Sequence, residues 1–107
     1  EYFNHIIATK QLVTADIIRE SNLSKDYAYQ ILSGRKDKPT RTKVIALCIG
    51  CHMNLQETQR ALEISRNGIL YARDSADAIV IYHINSEIWS VLKINEALHE
   101  QGLPLIE

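Results

Sequence analysis

Residues 14–34 read TADIIRESNLSKDYAYQILSG, and the spacing of apolar and turn-forming residues in this segment is the strongest indication of the fold. Ile17 and Ile18 share one face of a short helix, for which Thr14 is the expected N-cap. Residues 22–24 (Asn-Leu-Ser) then form a tight connection, because Asn tolerates the left-handed backbone conformation and Ser is a favoured N-cap. The stretch therefore predicts two short helices joined by a three-residue turn.

The second helix of this pair is expected to run from Lys25 to Ser33 and to stop at Gly34, since glycine is favoured just beyond a helix end. Its spacing divides the residues into two faces. Those expected to face the core are Ala28, Ile31 and Leu32. Those expected to point away are Asp26, Gln30 and Ser33, with Tyr27 and Tyr29 at the flanks.

The rest of the chain also has helical spacing. Further helices are expected over residues 1–10, 74–84 and 87–101, and Ser86 is the expected cap of the last one. Two more are expected to begin after Thr40 and after Asn54, where Glu57 completes a capping box. Residues 79–84 are the only segment for which a strand is a competing interpretation. We predict an all-α fold: a compact bundle of about five helices over residues 1–66, plus a two-helix C-terminal extension over residues 67–107.

Composition narrows the class of protein. The chain has 107 residues, of which 46% are hydrophobic and 23% are charged, and this balance fits one ordinary globular domain. No apolar run approaches the roughly 20 residues that a membrane-spanning helix needs, so we expect no membrane partner. The two cysteines are not the dense framework of a small secreted scaffold, and we expect a cytoplasmic location.

The net charge of −1 is distributed unevenly. Residues 1–54 carry eight basic and five acidic side chains, whereas residues 55–107 carry four basic and eight acidic ones. Within residues 35–43, five basic side chains accompany a single acidic one, Asp37. Nearby charges act together within a Debye length of about 8–10 Å, so such a cluster suits a phosphate backbone. A solvated loop is the competing interpretation.

The order of these features across residues 13–55 resembles the lambda-repressor-like (Cro/CI, or XRE) helix-turn-helix family. The resemblance rests on the short helix pair, the Ser33-Gly34 stop, the basic loop with Pro39, and the apolar helix that follows. It implies a compact helical bundle whose third helix enters the major groove of double-stranded DNA, while the next loop touches phosphates. The chain departs from the family at Thr14, where Gln is frequent, and at Asn22, where Gly is usual.

The resemblance also implies roles for individual residues. The implied base contacts are Lys25, Asp26, Tyr27, Tyr29, Gln30 and Ser33. The implied phosphate contacts are Thr14, Arg35, Lys36, Lys38, Arg41 and Lys43. Gln30 has the amide that pairs with N6 and N7 of adenine, whereas Asp26 suits only a donor such as N4 of cytosine.

Residues 48–52 read CIGCH and match the C-x-x-C-H pattern of covalent haem attachment. We favour a packing role, because both cysteines fall on the apolar stripe of the helix after Thr40, where free Cys behaves as a small hydrophobe. No nucleophile elbow or glycine-rich phosphate loop occurs, and the other histidines (His5, His83, His99) lack ligand spacing. We therefore predict no enzymatic activity, no cofactor and no metal.

The function predicted from these observations is a sequence-specific transcriptional regulator that binds DNA through residues 25–33. A homodimer through residues 74–106 is expected, because two-fold pairing doubles the base contacts. The competing hypothesis is a protein-interaction module on the same fold without DNA binding. The acidic C-terminal half and the two tyrosines favour that alternative.

Overall fold

The computed structural model describes residues 2–35 and 38–107, and within them every regular element is an α-helix. The helices are α1 (Tyr2–Lys10), α2 (Thr14–Ser21), α3 (Lys25–Leu32), α4 (Arg41–Gly50), α5 (Leu55–Ile64), α6 (Ser75–Asn85) and α7 (Val91–Glu100). The all-α prediction is confirmed. The strand considered for residues 79–84 is wrong, because this segment lies inside α6 and buries Val80, His83 and Ile84 at helical spacing.

Helix α4 forms the centre of the core. The sequence predicts one apolar stripe on this helix, but residues 44–50 are all buried. Helices α2, α5 and α7 all contact α4, so little of its surface beyond the first turn meets solvent. The surrounding helices contribute the rest of the core, including Ile17, Leu62, Ile94 and Leu98.

Gly50 permits the close approach of α2 and α4. A Cβ atom added at Gly50 would lie 2.5 Å from the carbonyl oxygen of Ile17 and 2.9 Å from Cβ of Ser21. No real Cβ contact is that short, so only glycine fits between these two backbones. This crossing fixes the position of α2, and α3 follows α2 directly.

Side-chain caps define most helix starts. Ser24 accepts from the backbone N–H of Tyr27, and Asn54 and Glu57 form the predicted capping box on α5. Asp74 caps α6 by accepting from the N–H of Asp77. These three starts agree with the sequence analysis.

Three predicted caps differ from the structure. Thr14 is the first residue of α2, and Val13 is the N-cap. Thr40 precedes α4 as expected, but its hydroxyl makes no cap hydrogen bond. Ser86 ends α6, because Glu87 turns into the left-handed region (φ 58°); the cap of α7 is therefore Ser90, and the helix begins later than predicted.

Helices α6 and α7 pack on the same core as the N-terminal helices. The indole Nε1 of Trp89 donates to the carbonyl oxygen of Met53 at 3.3 Å. After α7, the side chain of Asn95 holds both the N–H and the C=O of Ile106, at 2.7 and 3.0 Å, and Ile106 is buried. Residues on both sides of position 66 thus share one hydrophobic core.

Candidate nucleic-acid interface

Helix α3 is anchored on one face and open on the other. Ala28 and Ile31 are buried, and Leu32 is half-buried, as expected from the spacing. The exposed side chains are those of Lys25, Asp26, Tyr29, Gln30 and Ser33, whereas Tyr27 is half-buried. The structure therefore brings five of the six predicted base-contact residues together on one exposed surface.

The turn before α3 has the predicted geometry. Asn22 adopts the left-handed conformation with φ 58°. Leu23 is buried, and its N–H donates to the hydroxyl of Ser21 at 3.3 Å. Because this turn is fixed at both ends, the orientation of α3 relative to α2 is also fixed.

Two lysines lie over the tyrosine rings of α3. The Nζ of Lys25 is 6.0 Å from the ring centroid of Tyr29, and the Nζ of Lys43, on α4, is 5.3 Å from that of Tyr27. Both distances are within the range of a cation–π interaction. Lys43 is thereby held against α3, so a predicted phosphate contact lies beside the predicted base contacts.

The C-terminal end of α3 is held by a local network. The hydroxyl of Ser33 donates to the carbonyl oxygen of Gln30 at 3.3 Å and accepts from Nε of Arg35 at 3.1 Å. Asn4 of α1 donates to the carbonyl oxygen of Leu32 at 2.9 Å. Arg35 is thus positioned at the end of the exposed face, whereas Asn4 was not identified from the sequence because its partner lies 28 positions away.

Two further predicted phosphate contacts lie in the loop between α3 and α4. Lys38 is exposed beside Pro39. Lys36, a predicted phosphate contact, lies outside the described residues, as does Asp37.

Arg41, a predicted phosphate contact, forms an ion pair within the fold. Its NH1 and NH2 groups contact the two carboxylate oxygens of Asp77 at 3.2 and 2.8 Å. Nε donates to the carbonyl oxygen of Gly68 at 2.8 Å, and NH2 also donates to that of Ile69 at 2.9 Å. With its donors engaged and its side chain only 34% exposed, Arg41 is poorly placed to bind a phosphate.

The amino-terminal ends of α2 and α4 have no side-chain cap. Val13 has no polar side-chain atom, and the hydroxyl of Thr40 makes no cap bond, so no side chain caps the first N–H groups of either helix. Thr14 borders a shallow notch, formed also by Ala15, Ile18, Lys25 and Tyr29. Thr14 therefore lies next to α3, as the predicted phosphate contact requires.

The C-x-x-C-H segment forms part of the core. Cys48 and Cys51 are both fully buried and free. Burial raises the pKa of the Cys51 thiol to about 12, and burial together with the neighbouring Cys51 raises the pKa of Cys48 well above its ordinary value. Both groups are protonated thiols at neutral pH, and this geometry opposes the haem interpretation, which needs accessible sulfur atoms.

His52 is held by Trp89, in the connection between α6 and α7, and by Glu20 of α2. Its imidazole stacks on Trp89 (centroids 4.7 Å apart, planes at 10°), and its Nε2 contacts the carboxylate of Glu20 on α2. These partners lie 37 and 32 positions away, and no local pattern in the sequence predicts them. The backbone of His52 adopts the left-handed conformation (φ 54°) just past the end of α4, where the N–H of Met53 donates to the carbonyl oxygen of Cys48 at 3.1 Å.

Comparison with known proteins found no matching family model, no matching curated protein and no matching solved structure.

Among the described residues, no group of three or more His, Cys, Asp or Glu side chains is arranged to hold a metal ion. None of the helices in residues 2–35 and 38–107 has both the length and the apolar character to cross a membrane.

Proposed function

We propose that this protein is a sequence-specific DNA-binding transcriptional regulator in which α3 reads the major groove. The observation that carries the proposal is the exposed face of α3, flanked by Lys43 of α4 and by Arg35. An α-helix with its side chains is about 10–12 Å in diameter, which suits a major groove about 12 Å wide. The helix is held from behind by Ala28 and Ile31, so its outer side chains are presented on a rigid support.

The exposed side chains divide into two groups by chemistry. Gln30 offers an amide for adenine, and Tyr29, Ser33, Lys25 and Asp26 share the exposed face with it. The cations Arg35, Lys38 and Lys43, together with Thr14, lie on adjoining segments and are assigned to phosphates. Arg41 is omitted from this second group because of its pairing with Asp77.

The rest of the proposal follows the sequence analysis. The regulator acts in the cytoplasm, has no catalytic role and needs no cofactor or metal. It binds as a homodimer through residues 74–106, because one eight-residue helix contacts few base pairs.

A protein-interaction module is the second candidate, and Asp26 is the observation that favours it. This carboxylate is exposed on the face proposed to approach DNA, and no ion pair with another described residue neutralises it. A phosphate backbone repels a free carboxylate, while a basic protein surface attracts one.

Selection of bound sequences from a random double-stranded DNA pool tests the proposal. Recovery of a common sequence supports it, and failure to enrich any sequence at low salt contradicts it. Affinity for the selected site is then measured at several salt concentrations for the wild-type chain and for variants.

Gln30→Ala is expected to relax preference at one base position, by about 1–3 kcal/mol. Lys43→Ala and Lys38→Ala are expected to weaken binding to all sequences and to lower the salt slope by about 1 each. Arg60→Ala is the matched control, because Arg60 is exposed on α5 and, within residues 2–35 and 38–107, forms an ion pair with Glu63 alone. Equal losses for all four variants on every sequence would contradict the assignment, and binding that is independent of salt would favour the protein-interaction candidate.

A further inference from the structure

Helix α7 carries exposed charges without partners in the described part of the chain. Lys93 lies in its first turn, Glu96 near its middle and Glu100 at its end, and none of them forms an ion pair with another described residue. A cation near a helix N-terminus and a carboxylate at the C-terminus both oppose the helix dipole. In an isolated chain, both Lys93 and Glu100 therefore interact unfavourably with the dipole of α7.

A second, antiparallel copy of α7 would reverse this arrangement. Lys93, Ala97 and Glu100 are spaced i, i+4, i+7 and share one side of the helix. Lys93 and Glu100 are about 10.5 Å apart along the axis, and their midpoint falls between residues 96 and 97. A two-fold axis at this midpoint brings Lys93 level with Glu100 of the second copy, and each cation then lies near the negative end of the neighbouring helix.

The surface next to these charges is apolar and has a groove. Ala78, Ile79 and Tyr82 of α6 line it together with Ala97 of α7 and Leu103. The side chain of Tyr82 is 63% exposed, although its ring is largely apolar. Alanine at both walls lets a neighbouring helix come as close as the 8–10 Å usual for packed helices.

We propose that α7 pairs antiparallel with α7 of a second copy of this chain, with the two-fold axis between residues 96 and 97 and Tyr82 covered at the edge of the contact. The occupant is a second copy because the charge pattern of α7 is complementary to itself under this rotation. The inference rests on the homodimer in the proposed function, but it does not depend on DNA binding.

The same geometry places the two Glu96 side chains near the axis. These like charges repel each other and lower the affinity of the dimer. Glu96→Gln removes the repulsion and is therefore expected to raise that affinity. This expectation is specific to the register proposed, because other registers of α7 do not bring the two Glu96 residues together.

The experiment is sedimentation equilibrium of the whole chain, without DNA, at low ionic strength. We expect a dimer at tens of micromolar. Lys93→Glu and Glu100→Lys are each expected to raise the dissociation constant by about tenfold or more, because each places two like charges opposite each other. The double variant Lys93→Glu/Glu100→Lys restores opposite charges and is expected to recover most of the wild-type affinity.

Glu63→Lys is the matched control for net charge, since Glu63 is exposed on α5. Thermal unfolding at low protein concentration separates loss of the dimer from loss of the fold. Each single reversal corrects a charge that opposes the helix dipole, so neither variant is expected to unfold at a lower temperature than the wild-type monomer.

Two outcomes overturn the inference. If the chain dimerises but the single reversals leave the dissociation constant unchanged, or the double variant fails to recover, another surface forms the dimer. If the chain is monomeric at these concentrations, both this pairing and the homodimer of the proposed function fall. Neither outcome alters the result of the DNA selection, so failure of the pairing is distinguished from failure of DNA binding.

Discussion

Left-handed backbone conformations mark the ends of helices at single residues. Asn22 and Gly34 adopt this conformation where the sequence predicts it, and Gly102 ends the C-terminal helix in the same way. His52 and Glu87 also adopt it, at a higher cost than glycine or asparagine. Residue type therefore predicts such positions only for residues, such as glycine and asparagine, that adopt the left-handed conformation at a low energetic cost.

The buried thiols make stability depend on pH in the alkaline range. The pKa of Cys51 is about 12 in the folded chain, above the ordinary value near 9, so above pH 9 the unfolded chain loses this proton first. Stability is fully present below pH 9 and is lost as the pH rises toward 12. One such group contributes a slope of up to about 1.4 kcal/mol per pH unit.

Urea unfolding between pH 8 and pH 11 measures this slope. Cys51→Ala is expected to unfold more easily at pH 8, because it leaves a small cavity, but to lose less stability with rising pH. Tyr71→Phe removes an exposed ionisable group and serves as the control. Equal slopes for the wild type and Cys51→Ala would show that the thiol ionises alike in both states.

At the scale of elements, the position of α2 depends on its crossing with α4. Gly50→Ala places a methyl group 2.5 Å from the carbonyl oxygen of Ile17, and this backbone atom moves only if α2 moves. We expect the free energy of unfolding to fall by about 1–3 kcal/mol, the usual cost of overpacking. Urea denaturation is the measurement.

Gly68→Ala is the matched control for that variant. A Cβ at Gly68 has its nearest neighbour, Nε of Arg41, at 3.9 Å, which is an ordinary contact. We expect a change within about 0.5 kcal/mol. If both variants unfold at the same urea concentration as the wild type, close packing of α2 on α4 is not what requires glycine at position 50.

At the scale of the whole molecule, Arg41 and Asp77 join the start of α4 to the start of α6. Asp77 is buried, and it also accepts from the N–H of Tyr71 at 3.0 Å. Removing its carboxylate leaves the Arg41 guanidinium half-buried and without its anionic partner. For Asp77→Ala we expect a loss of about 2–3 kcal/mol, below the range for a fully buried pair because Arg41 retains contact with water.

The exposed pair of Arg60 and Glu63 provides the comparison. Their closest atoms are 3.7 Å apart and both side chains are more than half exposed. Glu63→Ala is expected to change stability by no more than about 0.5 kcal/mol in the same denaturation assay. Similar losses for the two variants would mean that burial does not distinguish these ion pairs.

Much of the candidate site was predicted because its determinants are local. Ser24 caps α3, Asn22 makes the turn, and Ala28 with Ile31 fixes which side of α3 faces inward. For Arg41, predicted as a phosphate contact, no local spacing in the sequence indicates a partner within the fold. Only the partner 36 positions away shows that Arg41 is engaged within the fold.

Local sequence features are enough to predict the helical class, most helix boundaries and the exposed face of α3, because these depend on interactions among residues within about four positions of one another. The burial of residues 44–50 of α4, the stacking of His52 on Trp89 and the pairing of Arg41 with Asp77 arise only in the folded chain. Those features depend on which helices pack together, and no local spacing of residues predicts the packing of segments that are distant in sequence.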